Sequence, residues 1–223
     1  MRVRGGRYKK TLTTTLSLGG RGGRTIQGAE TGQVPFMSDA PLVAHSLAEA
    51  FLYILATPCG ACGKGPLRGG EAEPAEECGA AVVVSIAATC GSCRIVTRWK
   101  FRLSGPPQPV PADQAPVINA TDEPSRILDA AQWLTLFRMM TETAGKEPNK
   151  AATRRLSLEA AQCLDEALKF YEEDNDLPTT DAFFHHGSRE RFRDHPEQFS
   201  RQRLLHLRSK LPTPWPMRPG GRS

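Results

Sequence analysis

The alternation of apolar and polar side chains is clearest between residues 95 and 103. One set of alternate positions holds Ile95, Thr97, Trp99, Phe101 and Leu103, and the other holds Val96, Arg98, Lys100 and Arg102. A period of two indicates a β-strand with one buried and one largely basic face. Just before it, residues 80–88 form a continuous apolar run rich in Val and Ile. Such a run predicts a strand that is buried on both faces.

Apolar residues recur with a helical period in four other segments. The predicted helices span about 41–56, 124–143, 149–174 and 194–212. The first should end before Pro58, and Ser38 and Asp39 are its candidate N-caps, with Pro41 near the first turn. We expect this helix to cover the apolar surface of the two strands.

The three later helices differ in how much apolar surface they carry. The second starts near Pro124 and is apolar on most of its faces, which predicts burial at the centre of a bundle or beneath another subunit. The third places Cys163 on its apolar stripe, as a small core residue. The last begins with Asp194 as its N-cap and Glu197 in the position of a capping box.

These elements predict an α+β protein, with a small β unit and a leading helix followed by a separate region of about three helices. Prolines are dense in the segment between the two parts, which predicts an extended linker. The expected divisions are a disordered basic tail (1–36), a helix with the β unit (37–104), the linker (105–123), the helical domain (124–212) and a disordered tail (213–223). Met37 is an alternative start of translation.

Candidate chemistry is concentrated in two Cys-x-x-Cys pairs, Cys59 with Cys62 and Cys90 with Cys93. Two intervening residues let the chain turn so that both sulfurs of a pair reach one ion, and two pairs complete a tetrahedron. Glycine follows the first cysteine in each pair, and Gly63 follows the first pair. The second pair is followed by Arg94, so its turn is less typical.

Other chemistries use the same residue type. A thioredoxin-like redox pair leaves the second Cys-x-x-Cys unexplained, and disulfides suit small secreted proteins better than this chain of 223 residues with six cysteines. Iron in a rubredoxin-like four-sulfur site uses the same ligands and remains an alternative to zinc. Cys78, between the two pairs, has no place around a tetrahedral ion that is already complete.

The two cysteine turns, with the strand that follows the second, resemble a zinc ribbon over about residues 57–103. The resemblance implies that Cys59, Cys62, Cys90 and Cys93 hold one structural Zn²⁺. Zinc ribbons occur in proteins of very different functions, so the resemblance implies no particular activity.

Charge is distributed unevenly along the chain. The net charge of +5 combines +6 in residues 1–36, −7 in residues 37–186 and +6 in residues 187–223. The candidate contacts to nucleic acid are Arg94, Arg98, Lys100 and Arg102 on the β unit, together with a basic helix over 189–210. A basic helix paired with the acidic middle of the chain is the simpler interpretation.

The segment containing His185 and His186 is the remaining candidate for catalysis. Neighbouring histidines can act as metal ligands or general bases. Adjacent residues do not share a helix face, however, and no recognised metal-binding histidine pattern is present. A loop anchored by Phe183 and Phe184 explains the segment without catalysis.

The sequence therefore predicts a non-enzymatic, zinc-binding adaptor or regulator that binds a protein partner. A nucleic-acid-binding protein is the alternative, and an enzyme using His185 and His186 is less favoured. No apolar run approaches the ~18 residues that span a bilayer, so we expect a soluble protein. Free thiols predict a cytoplasmic location.

Overall fold

The computed structural model describes residues 40–78, 81–107, 110 and 114–213. The predicted disordered tail over 1–36, the alternative start at Met37 and the candidate caps Ser38 and Asp39 lie outside these ranges. So does the C-terminal tail, apart from Thr213. The side chain of Cys78 also lies outside the described part, so its exclusion as a metal ligand stays a prediction.

Four strands form one mixed sheet, which together with the helices makes the protein α+β as predicted. The strands are β1 (Leu42–Ala44), β2 (Leu67–Cys78), β3 (Ala81–Cys90) and β4 (Val96–Leu103). They lie in the order β1-β4-β3-β2. β1 runs parallel to β4, and the other two pairs are antiparallel. The predicted strands β3 and β4 are confirmed, with Trp99, Phe101 and Leu103 on the buried face.

The first predicted helix begins later than the sequence indicated. Residues 42–44 form β1, which pairs with Phe101–Leu103 of β4, and the helix α1 covers Leu47–Ala56. Ser46 is its N-cap and accepts a hydrogen bond from the Glu49 amide at 3.1 Å. Pairing along the edge of the sheet therefore overrides a helical pattern that Val43 and Leu47 fit equally well. The helix ends before Pro58, as predicted.

Strand β2 is not among the elements that the sequence pattern predicts. It pairs with β3 along its length, with irregularities between Gly69 and Ala72 and between Pro74 and Glu76. Ala72 and Pro74 lie opposite the buried residues Ile86 and Val84. Ala72 is only half-buried and Pro74 is exposed. Because neither position holds a large buried side chain, the sequence lacks the alternation that normally identifies a strand.

Helix α1 lies across the buried face of the sheet. The Tyr53 ring meets Trp99 edge-on, with ring centroids 5.4 Å apart, and meets Phe101 at 5.9 Å. At Gly69 the helix approaches so closely that a Cβ atom would stand 2.8 Å from the Phe51 ring. A residue without a side chain is therefore needed there. The predicted covering role of α1 is confirmed.

Helix α2 (Ala130–Lys146) is shorter than predicted, because Asp129 rather than the region of Pro124 begins it. Asp129 and Gln132 form a reciprocal capping box. Ser125 lies in the irregular segment before it and accepts hydrogen bonds from the amides of Ile127 and Leu128. Trp133, Leu136 and Met140 are all buried. The widened apolar surface of α2 therefore packs inside this chain.

The third helix, α3 (Lys150–Leu168), ends several residues before the predicted position. Cys163 is fully buried on it, as expected, with its Sγ 3.7 Å from the Met140 sulfur. None of the helices in the described ranges is long and apolar enough to cross a membrane.

The single final helix predicted over 194–212 is wrong. In its place are α4 (His186–Asp194), a short 3₁₀ turn (Pro196–Phe199) and α5 (Arg201–Arg208). Asp194 is the last residue of α4 instead of a cap, and Ser200 caps α5 by accepting a hydrogen bond from the Arg203 amide. Burial of the Phe199 ring, together with a break in the helix at His195, outweighs the local capping signal.

The second half of the predicted linker is packed between the two parts of the chain. The amide of Gln162 on α3 accepts from the Ile118 N–H at 3.0 Å and donates to the Pro116 carbonyl at 2.9 Å. Ser46 donates to the Ile118 carbonyl at 2.6 Å, and the Ile118 side chain is buried. One cluster of buried residues includes side chains of the sheet and of the helices. Residues 114–123 therefore act as a packed connection instead of a free spacer.

We expect Asp129→Ala to lower the free energy of unfolding by about 2–4 kcal/mol, since a helix cap is worth ~1 kcal/mol and each buried amide left without a partner costs ~1–3 kcal/mol. Asp129 is fully buried and also accepts from the amides of Phe184 and His185 at 3.1 and 3.4 Å. Urea denaturation measures the change.

Asp181→Ala is the matched control, because Asp181 is exposed and close to Phe184 in sequence. Its effect should stay within about 0.5 kcal/mol, as for most surface substitutions. Equal effects of the two substitutions would contradict the role assigned to Asp129.

Candidate metal centre

The first cysteine turn, here called the first knuckle (Cys59–Lys64), directly follows α1. The Cys59 amide donates to the Lys64 carbonyl at 2.6 Å, and the Gly63 amide donates back to the Cys59 carbonyl at 2.8 Å. These two bonds close the loop from both ends, so that Cys59 and Cys62 lie on the same side of it. The end of the helix at Pro58 fixes where the loop begins.

The second knuckle (Cys90–Ile95) connects β3 to β4 and repeats the same bonds at the same offsets. The Cys90 amide donates to the Ile95 carbonyl at 2.9 Å, and the Arg94 amide donates to the Cys90 carbonyl at 3.1 Å. The amides of Ser92 and Cys93 also approach the Cys90 sulfur, at 3.4 and 3.5 Å. Two segments distant in sequence therefore adopt one local structure.

The residue after each pair has a left-handed backbone. Gly63 and Arg94 both have a φ of 66°. Glycine adopts this conformation freely, whereas a residue with a side chain loses about 1–2 kcal/mol there. Sequence comparison of the two pairs indicated that Arg94 makes the second turn less typical. The structure shows that the turn forms in the same way and that Arg94 takes the unfavourable conformation.

Hydrogen bonds from the second knuckle reach the chain just after the first. The Gly91 amide donates to the Pro66 carbonyl at 2.9 Å. The Ser92 hydroxyl donates to the Gly65 carbonyl at 3.0 Å. These two contacts, which sequence spacing alone did not reveal, bring the knuckles face to face at one end of the sheet.

The four sulfur atoms form a compact group. Cys59 and Cys93 are 3.6 Å apart, Cys62 and Cys90 are 3.7 Å apart, and all four sulfurs lie within 4.8 Å of one another. A tetrahedron with metal–sulfur bonds of about 2.3 Å has edges of about 3.8 Å. The predicted ligands Cys59, Cys62, Cys90 and Cys93 therefore cluster at metal-binding distance. Across the described part of the chain, no other group of three or more Cys, His, Asp or Glu side chains does so.

The cluster lies at the boundary between core and solvent. Cys59 and Cys90 are buried, Cys62 is half-buried and Cys93 is exposed. Cys59 and Cys90 belong to the main cluster of buried residues. An ion held by these four thiolates would be fastened to the core on one side and close to water on the other.

Nearby amides, burial and the neighbouring cysteines give the thiols different pKa values. The Cys93 amide, opposed by burial and assisted by the Ser92 amide, lowers the pKa of Cys90 to about 6. The Cys62 amide, ahead of other contributions, lowers the pKa of Cys59. At Cys93 the Ile95 amide favours the thiolate, but burial and the neighbouring cysteines outweigh it and raise the pKa to about 12. Without a cation, the four groups resist becoming thiolates together.

Of the basic residues predicted to contact nucleic acid, only Arg94 belongs to a knuckle. The others lie on β4, away from the sulfur cluster. Arg98, Lys100 and Arg102 alternate with the buried side chains of β4 and therefore lie on the opposite face of the sheet. Arg98 pairs with Glu73 of β2 at 3.2 Å. Part of the basic face is thus neutralised by the acidic edge strand.

The histidine segment is anchored in the core by one of its two phenylalanines, while both of its histidines are exposed. Phe183 is fully buried, whereas Phe184 is 38% exposed, so only the first of the predicted anchors is a core residue. His185 precedes α4 as its N-cap residue. The exposed His186 lies 3.3 Å from Glu190, one helical turn away. The two histidines do not join a third potential ligand within the described ranges.

We expect Arg94→Gly to raise the free energy of unfolding of the metal-bound protein by about 1 kcal/mol, because glycine removes the cost of the left-handed backbone. Gly63→Ala should lower it by a similar amount. A Cβ atom at Gly63 would meet nothing within 4 Å, so this cost is conformational and not steric. Guanidinium denaturation of both variants measures the two changes, and changes of the same sign would contradict the equivalence of the knuckles.

Comparison of the chain with protein-family models, with curated proteins and with solved structures found no match. The assignment of the four-cysteine cluster as a possible metal site therefore rests on its geometry alone. That geometry is consistent with a zinc-ribbon-like site.

Proposed function

We propose that the protein is a non-enzymatic zinc protein, in which one structural Zn²⁺ organises the sheet of a protein–protein adaptor or regulator. The observation that carries the proposal is the set of four sulfur atoms at tetrahedral spacing. Four protein ligands complete the coordination of zinc and leave no position for water or substrate. A complete site of this kind is structural instead of catalytic.

Iron is the alternative metal, because a tetrahedral four-sulfur site accepts it as well. Zinc is favoured because it keeps one oxidation state and the site joins structural elements. Bound thiolates require a reducing environment, which supports a cytoplasmic location. The buried Cys163 remains a free thiol among the described residues.

The placement of the potential metal-binding and catalytic side chains supports an adaptor function. The one compact cluster of potential metal ligands in the described ranges is the four-cysteine set, and the exposed histidines join no such cluster there. The sheet and helices share one cluster of buried residues, and their other faces are open to solvent. A folded scaffold with a closed metal site suits binding to a protein partner better than turnover of a substrate.

Nucleic-acid binding is the second candidate, and the basic face of β4 favours it. Arg98, Lys100 and Arg102 follow one another along that face. Two observations place it second: Arg98 is paired with Glu73, and Trp99 is buried on the opposite face, where bases cannot stack on it.

Elemental analysis should find one zinc per chain in protein purified under reducing conditions. Cys59→Ser and Cys90→Ser should each lose the ion and unfold the β unit, because structural zinc contributes ~10–16 kcal/mol to folding and typical domains have only ~5–15 kcal/mol in total. The Trp99 contribution to the tryptophan emission reports on the β unit, since its ring packs against Tyr53 in the core, and Trp133 and Trp215 add to the same emission.

Cys163→Ala is the control, because it removes a buried thiol outside the cluster. It should keep one zinc per chain and the wild-type Trp99 emission. Wild-type protein that is folded, reduced and free of metal would contradict the proposal. Finding stoichiometric iron instead of zinc would identify iron as the bound metal.

A nucleic-acid titration separates the two candidate functions. The adaptor proposal predicts that changing Arg98, Lys100 and Arg102 together to Gln leaves partner binding intact, and that labelled single-stranded DNA or RNA binds no more than weakly at low salt. Tight binding that falls steeply with added salt and disappears in the triple variant would favour the nucleic-acid alternative, since phosphate contacts release counterions.

A further inference from the structure

Two arginines from different helices converge on one oxygen atom in the helical part of the protein. Arg138 of α2 donates to the Gln198 Oε1 at 2.9 Å, and Arg191 of α4 donates to the same oxygen at 3.3 Å. The residues are 53 positions apart in sequence, so only the fold brings them together. Two guanidinium groups at this spacing concentrate a charge of +2.

Arg191 is held firmly in place. It donates to the Thr135 hydroxyl at 2.9 Å and to the Ala131 carbonyl at 3.4 Å. Its guanidinium carbon lies 5.6 Å from the centre of the buried Phe199 ring. Since the contacts come from α2 and from the 3₁₀ turn, the group is oriented before any ligand arrives.

In the described part of the chain, no carboxylate pairs directly with either arginine. Among the residues that the structure describes, neither Arg138 nor Arg191 has an acidic oxygen within 4.0 Å. Asp129 is the acid whose charge acts on Arg191. Its carboxylate, however, accepts from the amides of Gln132, Phe184 and His185.

The electrostatic consequence is visible at Arg191. Burial and then the charge of Arg138 lower the pKa of the Arg191 guanidinium from its ordinary value. Like charges brought together without a counterion oppose folding. A bound anion would relieve that repulsion and use the donors of Arg138 that have no acceptor in the described part of the chain.

We propose that Arg138, Arg191 and Gln198 bind a dianionic phosphate group, either inorganic phosphate or the phosphate of a small ester. Guanidinium groups match phosphate in geometry and hydrogen bonding. A phosphate monoester carries a charge of about −1.5 to −2 at neutral pH, which balances two arginines, whereas a carboxylate balances one. A bound phosphate replaces the Gln198 Oε1 as the acceptor for both arginines, and rotation of the Gln198 side chain turns its amide N–H donors toward the phosphate. The site is separate from the proposed metal centre and does not depend on it.

Calorimetric titration of the full chain at constant ionic strength tests the proposal, with inorganic phosphate and phenyl phosphate as probes and acetate as the carboxylate control. We expect saturable binding of one phosphate per chain and at least tenfold weaker binding of acetate. Arg138→Gln and Arg191→Gln should each weaken phosphate binding at least tenfold. Tighter binding of phenyl phosphate would identify a phosphate ester as the ligand, and equal binding would identify inorganic phosphate.

Arg193→Gln is the matched control, because Arg193 lies on the same helix and is paired with Asp194 at 3.0 Å. It should bind phosphate as the wild type does. Arg138 is exposed, so Arg138→Gln should fold normally even if the partly buried Arg191 does not tolerate replacement. Absence of saturable phosphate binding, equal binding of acetate, or unchanged binding in folded Arg138→Gln would overturn the proposal.

Discussion

The sulfur cluster brings together two segments of the chain that are about 30 residues apart in sequence. Cys59 follows the end of α1, and Cys90 and Cys93 lie where β3 turns into β4. Between the knuckles, Gly91 and Ser92 donate hydrogen bonds to the Pro66 and Gly65 carbonyls, beside the point where β2 begins to pair with β3. The neighbouring cysteines, together with burial, raise the pKa of Cys93, so four adjacent thiolates repel one another unless a cation lies between them. The proposed metal would therefore connect the chain after α1 to the turn between β3 and β4, in addition to the strand pairing there.

Order at the knuckles extends into the core through α1. The helix that ends at the first knuckle presses Tyr53 against Trp99 and Phe101. At its other end, the fully buried Glu49 accepts from the amide and the Nδ1 of His45. The Ser46 hydroxyl then donates one hydrogen bond to the Ile118 carbonyl, in the segment that packs against α3. The position of the sheet and that of the helices are therefore coupled through one short helix and one packed segment.

A buried carboxylate of α3 lies where the segment 114–123 packs against that helix. Glu166 of α3 is 3% exposed, pairs with Lys169 at 2.6 Å and accepts from the Asn119 amide at 3.1 Å. Burial raises the pKa of Glu166, although Lys169 opposes the change. A buried carboxylate is stable only with such partners. The chain around residue 119 is held by specific polar contacts, which explains why it does not behave as a free spacer.

The sequence predicted features whose signals are local. Cysteine spacing identified the cluster, alternation of apolar and polar residues identified β4, and a continuous apolar run identified β3. It failed where tertiary contacts decide between local alternatives. Val43 fits a helix but pairs with Arg102 in the sheet, and Asp194 fits an N-cap but ends a helix. Strand β2 lacks an apolar alternation because Ala72 and Pro74, opposite the buried Ile86 and Val84, are a small residue and an exposed proline. The meeting of Arg138 and Arg191 has no sequence signal at all, because it depends on how three separate elements pack.

The most direct test of the account is X-ray absorption spectroscopy of the purified protein at the zinc edge. A closed site formed by Cys59, Cys62, Cys90 and Cys93 predicts four sulfur neighbours at about 2.3 Å and no nitrogen or oxygen neighbour. A first coordination shell that contains nitrogen or oxygen, or fewer than four sulfur atoms, would contradict the central claim that these four thiolates together enclose the metal.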